Sequence, residues 1–191
     1  MSASALIVID VQQSFLHRPY WDEAELPAFR QALLALIAGA RARGVPVVYV
    51  LHEDGDGPFA AASGHVQPMA WLPPAPDATF TKHVHNAFTD TGLQAWLAAR
   101  GIDRLIISGI RTEQCCETTT RVGSDLGFGV DYVTEATLTF AMTHPHSGRV
   151  FSADDIRQRT ELVLAGRFAD IHTVASVLAR LDADAAKQAT L

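Results

Sequence analysis

What most constrains this chain is a recurring pair. A short, uninterrupted run of Ile, Val and Leu is followed by a longer segment whose apolar residues return every three or four positions. Residues 5–9 (ALIVI) open the series, 45–51 (VPVVYVL) continue it, and the shorter 105–108 (LIIS) and 130–133 (VDYV), each with one polar residue, read as further strands. Brief apolar runs rich in β-branched side chains are the mark of strands buried on both faces. Residues 24–43 carry Leu26, Phe29, Leu33, Leu36 and Ile37 at helical spacing and stop at Gly44, a residue suited to ending a helix. Residues 91–100 before Gly101 and 115–126 before Gly127 read the same way, and 78–82 is a further strand. Ser152 with Asp155 resembles a capping box opening a helix to about Leu164. A last short strand at 171–174 precedes a final helix through Leu181. Between 52 and 76 lies a long connection rich in Gly, Pro and Ala, a length that goes with function or disorder.

Strands that alternate with helices along the whole chain predict the α/β class, a three-layer α/β/α sandwich around a mostly parallel sheet of about six strands. The 191 residues are expected to form one domain. With 15 basic against 21 acidic residues and no run of Lys or Arg, the chain is not expected to bind nucleic acid. Its apolar stretches fall short of the roughly 18 to 20 residues that cross a bilayer, and its first residues carry no secretion signal. A cytoplasmic protein is the expectation. No G-x-G-x-x-G follows the first strand, so the dinucleotide-binding fingerprint is missing. Cys115 and Cys116 are adjacent, a spacing that strains a disulfide, and both read as free thiols.

In parallel sheets ligands bind outside the carboxyl ends of the strands. Asp10 follows the first strand, Lys82 ends the third, and the segment from Gly109 to Cys115 follows the fourth, so three reactive residue types reach one rim. At the start of a predicted helix, Cys115 is expected to be a thiolate favoured by unpaired N–H groups and the helix dipole, the same N–H groups serving an oxyanion. Asp10 suits proton transfer to and from the reacting groups, and Lys82 would keep both partners anionic. Taken singly, each has a plainer reading: Asp10 as a polar strand terminus, Lys82 as a solvated loop lysine, Cys115 as a small buried hydrophobe.

The segments VIDVQQSF (8–15), TKHVHNAFTDTGL (81–93) and GIRTEQCCETTTRVGSDLGF (109–128) resemble, in order and spacing, the three signature blocks of the isochorismatase-like cysteine hydrolase superfamily. The resemblance implies a catalytic triad of Asp10, Lys82 and Cys115. Cys115 takes the nucleophile position because the G-x-x-T-x-x-C pattern starts at Gly109 and contains Thr112, leaving Cys116 to pack in the helix interior. Also implied are a cis peptide between Ile110 and Arg111, an oxyanion hole from the N–H groups of Arg111 and Cys115, and assembly as a homodimer or homotetramer. The 52–76 loop and the 144–151 segment are candidate contact surfaces for that assembly.

Phe15 and Trp71 are candidates for the substrate-pocket wall, Trp71 equally a loop anchor, and Arg111 with Glu113 for selecting a charged substrate. The zinc-type D-x-H element of nicotinamidases is not matched by the spacing of His52, Asp54, Asp56 and His65, and Asp54 with Asp56 suits a turn better than a metal site. His83 and His85 supply two ligands, too few for a metal, and His144 with His146 reads as a surface loop or subunit contact. No metal and no cofactor are expected. The predicted reaction is hydrolysis of a small amide or ureide C–N bond through a thioester. Cleavage of an enol ether is a second enzyme reading, disfavoured by the thiol; a non-catalytic small-molecule-binding or thiol-sensing protein is the third.

Overall fold

The computed structural model describes residues 3–189. Its elements are β1 (Ala3–Ile9), α1 (Leu26–Ala42), β2 (Val47–His52), β3 (Ala78–Lys82), α2 (Leu93–Ala98) and β4 (Ile102–Ile110), followed by α3 (Glu117–Asp125) and β5 (Gly129–Leu138). Then come a two-stranded hairpin, β6 (Met142–Thr143) with β7 (Val150–Phe151), and α4 (Ala153–Leu164), β8 (Asp170–His172) and α5 (Val174–Ala189). Six strands form one sheet in the order β3-β2-β1-β4-β5-β8, and every pairing in it is parallel.

Alternation within each strand builds the layers. In β1, Leu6 and Val8 face one way and meet Leu33, Leu36 and Ile37 of α1 and Val177 of α5. Ala5, Ile7 and Ile9 face the other way, toward Leu93 and Leu97 of α2 and Leu164 of α4. α3 also lies on this second face and comes close through Gly123, where a Cβ would sit 2.9 Å from Leu105. The result is helix, sheet, helix, as the strand and helix order implies.

Strand order reverses between β1 and β4: β2 and β3 extend the sheet to one side, β5 and β8 to the other. A crevice opens outside the carboxyl ends at such a point. Gly109 makes this crevice tight. It pairs in register with Ile9 at φ 128°, and a Cβ there would lie 2.0 Å from the Ile9 carbonyl oxygen and 2.6 Å from its nitrogen. Only a residue without a side chain lets the end of β4 come this close to the end of β1.

Several boundaries differ from the sequence reading. The helix expected over 115–126 is a wide, five-residue turn (Thr112–Cys116) followed by α3. Tyr132 explains part of this, since its hydroxyl donates to the Thr112 carbonyl at 2.8 Å and ties the turn to β5, while the Thr112 and Thr137 hydroxyls bond at 2.8 Å. β5 runs on to Leu138, past the polar residues Thr134 and Glu135 that end its apolar run. Val174 opens α5 instead of closing a strand, because the Thr173 hydroxyl accepts from the Ser176 N–H at 3.1 Å as an N-cap does. The Ser152–Asp155 capping box forms as the sequence indicates.

The long connection after β2 is ordered. Gln13 and Ser14 donate their N–H groups to the carbonyls of Gln67 and His65, and Met69 donates to Val11 at 2.9 Å, so the loop is zipped to the segment after Asp10.

Gly109→Ala is expected to lower stability by about 3 kcal/mol, through overpacking against Ile9 and a positive φ that alanine resists. Urea unfolding of the variant beside Gly44→Ala, where φ is also positive but a Cβ meets nothing within 4 Å, separates the two causes.

Candidate active site

The ends of four adjacent strands supply the site. Asp10, one residue past β1, adopts φ 53°, in the left-handed region that Asp tolerates better than most residues. Its N–H donates to the Val50 carbonyl at 2.8 Å, and its side chain is buried. Lys82 closes β3 and pairs in register with His52, the last residue of β2. It is completely buried. Cys115 lies in the wide turn after β4, 8% exposed. The peptide bond between Ile110 and Arg111 is cis.

These side chains meet at the Lys82 ammonium. Nζ lies 2.9 Å from Oδ2 of Asp10 and donates to Sγ of Cys115 at 3.4 Å and to the Val84 carbonyl at 3.2 Å. A fourth neighbour, Nδ1 of His52, stands 2.8 Å away. Neither carboxylate oxygen of Asp10 has a hydrogen-bond partner among the described residues, Oδ2 being held by charge alone, which leaves a buried carboxylate available to a proton.

The structure corrects the expected thiolate. Burial pushes the Cys115 thiol well above the ordinary range, the Asp10 carboxylate raises it further, and the nearby Lys82 ammonium only partly opposes them. The helix dipole is outweighed: Cys115 does lie in the first turn of a helical run, Thr112–Cys116 passing directly into α3, but burial is the larger influence on its thiol. At rest the site therefore holds a neutral thiol beside a carboxylate and an ammonium. Cys116 is fully buried in the layer that also holds Ile107 and Tyr132, and its thiol is pushed up by the same burial.

The other candidates divide. Phe15 is buried edge-on against Phe59 (5.1 Å), whose ring in turn meets His52 edge-on at 5.8 Å, so it backs the site through Phe59. Trp71 packs on Phe29 at 6.1 Å with Arg30 over its ring, which anchors the loop to α1. Arg111 and Glu113 pair with each other at 2.9 Å, the guanidinium lying over the rings of Tyr20 and Phe140 and Glu113 accepting from Thr139 at 2.6 Å. The two charges neutralise one another. Glu113 also borders a cavity of about 540 Å³ walled by Met142, Pro145, Phe151 and Ile156.

The sequence reading passes over His52 as part of a loop. Its signal is its place as the residue closing β2, the strand that sits between β1 and β3. Asp54 takes part in a turn, accepting from the Gly55 N–H at 2.8 Å. His83 faces Glu53 at 3.8 Å, and His144 bonds Ser147 within the β6–β7 turn. Among the described residues, one group of three metal-ligating types lies within mutual reach: Asp131, Asp170 and His172, far from Lys82 along the strands. There Arg104 and Arg180 each already hold Asp131 at 2.7 Å, so the fit to a cation is poor. No helix among the described residues is long and apolar enough to cross a membrane.

A parallel sheet of this order, with an acid, a lysine and a cysteine at its switch point, defines a hydrolase of the isochorismatase-like α/β class. The isochorismatase domain model matches residues 4–164, and the chain belongs to the isochorismatase family. It is 28% identical over 178 residues to the uncharacterized isochorismatase family protein YrdC of Bacillus subtilis, covering 88% of this chain and 91% of that one. Nicotinamidase 3 of Arabidopsis thaliana is 29% identical over 153 residues, 72% of this chain and 74% of its own. The crystal structure of a protein of the isochorismatase family from Chromobacterium violaceum superposes with a TM-score of 0.84 at 29% identity, over 95% of this chain and 94% of that one.

The raised thiols make a stability prediction. Each is protonated in the folded protein at pH values where the unfolded thiol, near pKa 8.5, has ionised. The unfolded chain then binds fewer protons, so their contribution is complete below about pH 8 and falls as pH rises. Urea unfolding between pH 8 and 10 should show stability falling by up to about 1.4 kcal/mol per pH unit for each thiol. Cys116→Ala should flatten that slope.

Proposed function

We propose that this protein is a cysteine-dependent amidohydrolase acting on a small amide or ureide C–N bond through a thioester. The observation that carries the reading is the buried Lys82 ammonium standing 2.9 Å from the Asp10 carboxylate and 3.4 Å from the Cys115 sulfur. A neutral thiol needs a base at the moment of attack, and Asp10 is placed to be that base. As Sγ bonds the substrate carbonyl carbon, the thiol proton passes to Asp10 and the carbonyl π electrons move to oxygen. The N–H groups of Arg111 and Cys115 receive that oxyanion. Collapse of the tetrahedral species breaks the C–N bond, and Asp10 returns the proton to the departing nitrogen. Water then attacks the thioester while Asp10 takes its proton; the C–S bond breaks, the acid leaves and the thiol is restored. Lys82 remains an ammonium throughout, offsetting whichever partner is anionic.

Relatives support this class: one is named a nicotinamidase, and a ureidoacrylate amidohydrolase of Yersinia enterocolitica is 29% identical over 160 residues, 64% of this chain and 69% of its own. An enol ether needs acid and no thiol, so Cys115 favours acyl transfer. A thiol sensor needs an exposed sulfur, and both cysteines are buried.

Asp10→Asn, Lys82→Met and Cys115→Ala are each expected to cut kcat on a responsive amide by about 10³-fold or more. Acid quenching of the wild-type reaction followed by intact-mass analysis should show an acyl adduct that Cys115→Ala lacks. Undiminished turnover by both the Cys115 and Lys82 variants would overturn the proposal.

A further inference from the structure

We propose that His52 is the positioning residue of this site: its neutral imidazole, accepting through Nδ1, fixes the Lys82 ammonium so that one N–H points at the Cys115 sulfur while its charge stays against Asp10. The inference rests on reading these three side chains as a reacting unit.

An ammonium has three N–H bonds and no acceptor. Around Nζ of Lys82 stand three hydrogen-bond acceptors, His52 Nδ1 at 2.8 Å, the Val84 carbonyl at 3.2 Å and Cys115 Sγ at 3.4 Å, while Asp10 Oδ2 at 2.9 Å is an ion-pair partner outside hydrogen-bond geometry. His52 and Val84 are uncharged and occupy two N–H groups. The third is directed at the sulfur, with the positive charge held against the carboxylate. When the thiol proton moves to Asp10, negative charge moves from oxygen to sulfur, where this N–H already points, so the long lysine stem need not be displaced. An imidazole in this place accepts without adding a second anion, which would compete for the ammonium.

His52 is held for the task. Buried Gln12 clamps its backbone from both sides, Oε1 accepting from the His52 N–H at 2.7 Å and Nε2 donating to the His52 carbonyl at 2.9 Å. The ring is flanked by Phe59 edge-on and by His85 in parallel at 6.3 Å. Four ionisable groups face it: Lys82 at the end of β3, Asp10 after β1, Asp54 after β2 and His85 after β3. Burial and Lys82 lower its pKa most, with His85 adding to them and the two aspartates opposing, which favours the neutral ring near pH 7. An ammonium facing Nδ1 can only donate, so the ring proton is assigned to Nε2.

The test compares His52→Asn, which retains an acceptor, His52→Leu, which does not, and Lys82→Met. Alkylation of Cys115 by iodoacetamide at pH 8, in a Cys116→Ala background, reports thiolate access without requiring any amidase activity. His52→Leu should alkylate about tenfold more slowly than the parent, the factor of a one-unit rise in thiol pKa. It should shift in the same direction as Lys82→Met, while His52→Asn should stay within about twofold of the parent. On a responsive amide, His52→Leu should lose kcat with KM unchanged. Imidazole nitrogen-15 spectra of the unmutated protein at pH 7 supply a measurement independent of variant folding, and should show an acceptor-type Nδ1 and a protonated Nε2. A protonated Nδ1, a wild-type alkylation rate in folded His52→Leu, or equal loss in the Asn and Leu variants would overturn the inference. If the alkylation and spectral results hold but no amide is cleaved, the amidohydrolase reading fails and the positioning role stands.

Discussion

The arrangement depends on one buried cation. Lys82 has no solvent exposure, and Asp10 almost none. Ions taken out of water in this way are tolerated only when paired and hydrogen-bonded, and removing one partner of such a pair costs about 3–5 kcal/mol. The surrounding structure meets that condition from four directions, with an ion-pair partner at the end of β1 and acceptors drawn from the ends of β2 and β3 and from the turn after β4. No two of these segments are neighbours in the chain; the parallel sheet makes them neighbours in space. The same ammonium that neutralises Asp10 also reaches the sulfur, so the contact that stabilises the crevice and the contact that serves the chemistry are one.

Much of this is legible in the sequence, for identifiable reasons. β1 and β2 carry long apolar runs because both faces of the sheet are covered there, and the rule that ligands gather at carboxyl ends sorts Asp10, Lys82 and the Cys115 segment onto one rim before any coordinates exist. His52 escapes because finding it requires the lateral order of strands, which places β2 between β1 and β3 and is not written in local pattern. The turn before α3 escapes for a related reason: Tyr132, from another strand, ties down Thr112 and overrides the local helical signal. The β6–β7 hairpin, two residues per strand, is too short to leave a periodic trace.

The largest departure concerns charge rather than shape. Local reasoning at Cys115 sees a helix next in the chain and infers an anion; the folded environment surrounds the sulfur with apolar layers and a carboxylate and keeps it protonated. Strand order alone would equally suit a dinucleotide, since 3-2-1-4-5-6 is the order found in those sheets. The residue just past β1 separates the two uses. A glycine-rich turn would leave room for a pyrophosphate, whereas Asp10 fills that corner with a carboxylate facing the turn after β4.

The zipped loop is secured at more than one place. Residues 65–69 hydrogen-bond to Val11, Gln13 and Ser14, immediately downstream of the acid. In the far stretch of the loop, exposed residues such as Asp56 and Gly64 stand clear of this seam, but Phe59 between them is buried against Phe15 and His52. The loop is thus a bracket, fastened along one edge to the segment that carries the acid and riveted at one ring to the histidine.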